Sequence, residues 1–186
     1  MFVSREGAMN SRMEVSDTMT GKAAGMLYVV VHDRADRQVD YREFQFVNPH
    51  PNTVVKGAYQ EMILLATGLG TAVSFFGLGD EPAPTGWEWT ISDGNILWWS
   101  TAGQLTATQN IANLSMSFTC EVGYNQANGT GVETYYEAML VSAVPPATRI
   151  FSRVAFRDPA GAIAGLTKHD EYRITFNWTI FWGVSP

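Results

Sequence analysis

The sequence has a single cysteine, Cys120, so no intramolecular disulfide can form and no disulfide framework reports on compartment. Charge is scarce too. Asp, Glu, Lys and Arg make up 16% of the 186 residues, against about a quarter in an ordinary soluble domain. The formal net charge is −6, and no run of Lys and Arg forms the basic stripe that phosphate contacts need, so direct nucleic-acid binding is not expected. Nor is there an apolar stretch of roughly 18 residues or more, the length of a membrane-spanning helix. The opening residues, MFVSREGAMNSRMEVSDTMTGK, lack the apolar centre of a signal peptide. The expectation is a soluble intracellular product without a membrane span, or one that leaves its cell by a route other than secretion.

Residues for catalysis are equally thin. His32, His50 and His169 do not share metal-ligand spacing with one another or with Cys120, so no zinc site is expected. No nucleophilic serine motif of the G-x-S-x-G kind occurs. Glu133 and Glu137 would lie on one side of a single strand, roughly 13 Å apart by strand rise. That is too far for a glycosidase pair, and a solvated face is the expectation for both. The loop DEPAPTG, residues 80–86, lacks an EF-hand ligand series. Gly68-Leu69-Gly70 and Gly77-Leu78-Gly79 miss the third glycine of a dinucleotide loop and are read as turns. Three sequons, at Asn113, Asn128 and Asn177, are read as coincidental. These absences point away from an enzyme and imply no cofactor and no metal.

What the chain does have is apolar and aromatic residues, 46% and 12% of the total. They recur mostly with the period of strands. Ala112 to Val122 alternates apolar and polar residues throughout, which predicts a strand with one buried and one wet face. Tyr172 to Trp182 puts Tyr172, Ile174, Phe176, Trp178, Ile180 and Trp182 on one side. So long and aromatic a strand belongs in the middle of a sheet, not on an open edge. Leu27–Val31 and Tyr41–Val47 flank the charged segment HDRADRQVD and predict a hairpin. Further strands are expected at 72–78, 87–91, 96–99, 133–143 and 149–156, with a long loop over 157–170. Asp93-Gly94 and Asn128-Gly129 mark tight turns. One short helix is expected after Pro51, capped by Asn52 or Thr53, carrying Val55, Tyr59, Met62, Ile63 and Ala66 on one face and ending at Gly68.

The fold class is therefore mainly β: an antiparallel β-sandwich, plain or wound as a jelly roll, with one short helix. Residues 1–24 read as an extended N-terminal arm and residues 25–186 as a single sandwich domain. The arm is either a loose terminus or a segment that orders against a neighbouring subunit, with Phe2 and Val3 as its anchors.

Most of the six tryptophans fit a core, with Trp87, Trp89, Trp178 and Trp182 alternating inward. Trp98 and Trp99 differ, because adjacent strand residues face opposite ways and one of them is left for solvent or a partner. Phe181 interrupts an otherwise polar strand face. Phe2, Val3, Trp98, Trp99 and Phe181 are the candidate partner or oligomer contacts. Aromatic residues could alternatively line a glycan platform, so a carbohydrate-binding β-sandwich module is the second reading.

Two stretches carry a recognisable order of elements. The first is NTVVKGAYQEMILLATGLGTAVSFFGLGDE, residues 52–81, a short helix leading to a strand that ends in a Gly-Leu-Gly-Asp turn. The second, residues 135–182, carries Glu137, then Phe151, Arg153 and Phe156, then Thr167-Lys168, and a last strand from Ile174 to Ile180. In these two stretches the chain resembles small structural proteins of tailed bacteriophages and the attachment domains of phage tail fibres. The resemblance implies a virion protein made in the host cytoplasm, acting in capsid decoration, tail, baseplate or fibre attachment. Its partners would be copies of itself and other virion proteins.

Overall fold

The computed structural model describes residues 23–46, 60, 62, 65–80, 96–142, 150–158 and 160–182. The chain is mainly β, and every strand pairing among the described residues is antiparallel. Eleven strands occur among the described residues: β1 (Ala23–Asp33), β2 (Gln38–Phe46), β3 (Phe75–Gly79), β4 (Ile96–Trp99), β5 (Leu105–Asn110), β6 (Ser115–Val122), β7 (Val132–Tyr135), β8 (Glu137–Val141), β9 (Ile150–Ala155), β10 (Leu166–His169) and β11 (Tyr172–Trp182). A large sheet has the order β2-β1-β11-β6-β5, a smaller one β4-β3-β8-β9, and β10 pairs with β7.

The first hairpin forms as expected. Leu27, Val29 and Val31 alternate inward on β1. The turn is closed by Asp33, whose Oδ1 accepts from the amides of Ala35 and Arg37 at 2.9 Å each, while Asp36 takes a left-handed φ of 61°. β1 starts at Ala23, two residues inside the span expected for the arm. β11 is central as expected, flanked by β1 and β6, with Ile174, Phe176, Trp178 and Ile180 buried.

These inward residues meet the smaller sheet in one core. Phe76 of β3 lies 4.6 Å from Phe176 of β11, ring centre to ring centre, and also meets Trp178 edge-on. Phe156 bridges Phe44 and Phe176. Two antiparallel sheets sharing a core in this way fit a β-sandwich.

From β6 onward the pairings nest: β6 with β11, β7 with β10, β8 with β9. Strands β6 to β11 thus form one long two-stranded ribbon that passes from the large sheet to the smaller one. The passage falls at Tyr136, whose amide donates to the Gly79 carbonyl and whose carbonyl accepts from the Phe156 amide, both at 2.8 Å.

Several expectations need correction. The strand expected over 112–122 begins at Ser115. Asn110 Oδ1 accepts from the amides of Ala112 and Asn113, which turns residues 111–114 into the β5–β6 connection and leaves Leu114 at φ 49°. The single strand expected over 133–143 is two, broken at Tyr136. Glu137 is consequently fully buried against Arg153 instead of lying on a solvated face. The expected loop 157–170 contains β10. Gly77 and Gly79 belong to β3 and not to a turn. A Cβ on Gly77 would sit 2.6 Å from Trp99 Cζ3, so the glycine is there for close ring approach.

Gln60, Met62, Leu65 and Ala66 are helical, and Gly68 follows with φ 74°. The rest of the expected helix, the strand at 87–91, Trp87 and Trp89 lie outside the described residues.

Candidate functional site

The most distinctive surface is the corner where the large sheet ends at β5. Ala107 pairs with Phe118 and Gln109 with Met116, so these β5 side chains share the inward face of β6. Phe118 is buried, yet Ala107 and Gln109 are exposed. The smaller sheet does not reach over the last strand.

A groove of about 620 Å³ opens there. Its floor is Phe118, Phe151 and Trp182, with Phe151 6.3 Å from Phe118 and edge-on to Trp182 at 6.1 Å. One wall is Met62, Leu65, Ala72 and Val73; the other is residues 107–111 with Leu114. Ile111 is 77% exposed, Leu114 55% and Leu65 45%. Large apolar side chains left open to water around one concavity mark a contact surface.

Among the described residues, no charged side chain lines this groove. The sequence explains why: from Gly94 to Cys120 there is no Asp, Glu, Lys, Arg or His. Among the described residues, β5 pairs with β6 alone. Five of its six residues are exposed. Its outward backbone amides and carbonyls form an open edge carrying neither charge nor proline. The opposite edge, β2, is guarded. It carries Asp40, Arg42 and Glu43, its register shifts beside Val31, and Arg42 is tied to Asp40 at 3.1 Å and to the Gly165 carbonyl at 2.9 Å.

The expected contact residues divide. Phe181 pairs with Ser115 near this corner but is half-buried on the face opposite Trp182 and does not line the groove. Trp98 and Trp99 sit on β4, away from the groove. As their adjacency predicted, they face opposite ways: Trp98 packs on the main core, and Trp99 joins Met139, Val141 and Ile150 on the other face. Both are half-buried. Phe2 and Val3 lie outside the described residues. Ile111, Leu114 and Leu65 were not singled out from sequence. For Ile111 and Leu114 the signal that could have found them is the uncharged run itself; Leu65 lies outside that run.

The titratable groups near the core are bound up in structure. Burial pushes the Cys120 thiol up to about 12. Lys168 is fully buried, donates to the carbonyls of Tyr124 (3.0 Å) and His169 (2.7 Å), and is lowered by desolvation to about 8. Among the described residues, no three His, Cys, Asp or Glu side chains gather where they could hold a metal.

A second surface lies on the outer face of the large sheet. Tyr28 and Tyr41 stack at 6.1 Å. Nearby, Thr119 donates to Asn177 at 3.1 Å and Ser117 and Thr179 share a hydrogen bond of 2.9 Å.

No family model, curated protein or solved structure matches the chain.

Proposed function

We propose that this protein is a non-enzymatic building block that works by assembling with copies of itself and with neighbouring proteins, as a structural component of a bacteriophage virion. The observation that carries the assembly reading is the uncharged, open β5 edge beside an apolar groove. A monomer in water has no use for such a corner, whereas a subunit gains by covering it. The virion reading draws on the resemblance of residues 52–81 and 135–182. Decoration, baseplate and fibre attachment are all roles that such a corner would serve. The nested ribbon of strands β6 to β11 supports a sandwich wound as a jelly roll, residues 25–186 forming one domain with a short helix ahead of β3.

The test is sedimentation of the purified chain at about 100 µM, followed by co-sedimentation with particles lacking it. A stable oligomer that binds particles is expected. A monomer that leaves particles unbound would overturn the reading.

The Tyr28–Tyr41 pair beside Asn177 and Thr119 favours one alternative, a carbohydrate-binding module. It predicts glycan binding that Tyr41→Ala abolishes. A blank glycan array would remove it.

A further inference from the structure

We infer that two copies join edge to edge through β5, antiparallel across a two-fold axis, making one continuous ten-stranded sheet. The inference rests on the assembly reading and gives it a geometry.

Three observations select a second copy as the occupant. An antiparallel edge is complementary to itself, because a two-fold axis perpendicular to the sheet sets each outward amide against its mate's carbonyl. Charge selects the site: the chain carries a net −6, so copies repel over most of their surface, but nothing from Gly94 to Cys120 adds to that repulsion. The third observation is the contrast between edges. β2 bears charge and a register shift, the ordinary protections against sheet extension, and β5 bears neither.

Side-chain alternation then restricts the register. Leu105, Ala107 and Gln109 face inward while Thr106 and Thr108 face outward. Same-face pairing places the axis beside Ala107 or beside Thr108. Thr108 meets either Thr106 or Thr108 of its mate accordingly. The two grooves fall on one side of the joined sheet and merge into a single apolar trough across the axis, with Ile111 set opposite Gly103 or Leu105 of its mate.

The experiment is native mass and light scattering on wild type, the T106K/T108K double variant and a β2 control, Val39→Lys. In both registers the double variant sets Lys against Lys across the axis. Because both threonines are exposed edge residues, the fold is expected to persist, which circular dichroism checks. The expected result is an even-numbered oligomer for wild type and V39K, and half that mass for T106K/T108K. An unchanged oligomer in T106K/T108K would overturn β5 pairing and leave the assembly reading standing. A monomeric wild type at about 100 µM would remove both.

A second readout uses Ile111→Cys, since the native thiol is buried. Maleimide labelling of Cys introduced there should be at least about tenfold slower than in the same variant carrying T106K/T108K, because pairing covers that site. Equal rates would overturn the merged trough.

Discussion

Arg153 of β9 and Glu137 of β8 are ion-paired and wholly shielded from solvent, on the face of the smaller sheet that also carries Met139. Removing one partner of such a pair leaves an uncompensated buried charge. Glu137→Leu is therefore expected to destabilise the fold by about 3–5 kcal/mol. Replacing both, as E137L/R153M, should recover most of that loss, since similar volume is refilled without a lone charge. Urea titrations at pH 7 decide it. A double variant no better than Glu137→Leu alone would show that the pair's other contacts, and not the charge balance, hold the site.

Cys120 faces the core from β6 and is 1% exposed. Its thiol is pushed up to about 12, by burial first and then by Glu121. At pH 8 almost no thiolate is present, and the reagent cannot reach what there is. The expected outcome is negligible reaction with a chromogenic disulfide over an hour, and one equivalent on addition of denaturant. Prompt labelling of the native protein would mean that β6 opens locally.

Gly77 lets the Trp99 ring lie against β3. An added methyl would approach Trp99 Cζ3 to 2.6 Å and Met139 Cγ to 3.1 Å. Gly77→Ala should therefore cost about 1–3 kcal/mol by overpacking. The same change in a Trp99→Leu background should cost much less, which separates ring collision from any backbone effect. Chemical denaturation of the four proteins completes the cycle. Equal costs in both backgrounds would place the strain elsewhere.

How far these sites were legible varies with how locally their causes act. β1 and β11 could be read because one face is buried and one is not, so alternation survives in the residues. β5 could not, because Thr106, Ala107, Thr108 and Gln109 are all exposed and no burial pattern is imprinted on them. β8 hides for the opposite reason: all five residues are buried, and Glu137 reads as surface until its partner sixteen positions on is known. The break at Tyr136 depends on the Gly79 carbonyl and the Phe156 amide, which no local pattern reveals. The groove draws its walls from Met62 to Trp182, so it exists only once the chain has folded.

Lys168 offers a test with a definite sign. It is fully buried, hydrogen-bonded to two carbonyls, and lowered to about 8 from 10.5, by desolvation first, with Asp170 pulling it up and Arg34 down. Because the folded value lies below the unfolded one, the folded chain gives up this proton first as pH rises. Between about pH 8 and 10.5 the unfolded state therefore holds more protons, and this group makes stability rise with pH. Well below pH 8 both states are protonated and its contribution is flat. Lys168→Met removes the titration but leaves the carbonyls of Tyr124 and His169 without this donor, costing about 1–3 kcal/mol at pH 7. The measurement is the stability difference between wild type and variant, from urea curves at pH 7, 8, 9 and 10, which cancels titrations common to both. That difference should widen only slightly from pH 7 to 8 and markedly, in favour of wild type, from pH 8 to 10. A gap that stays fixed or narrows over the upper window would show that the Lys168 ammonium is not disfavoured by its burial.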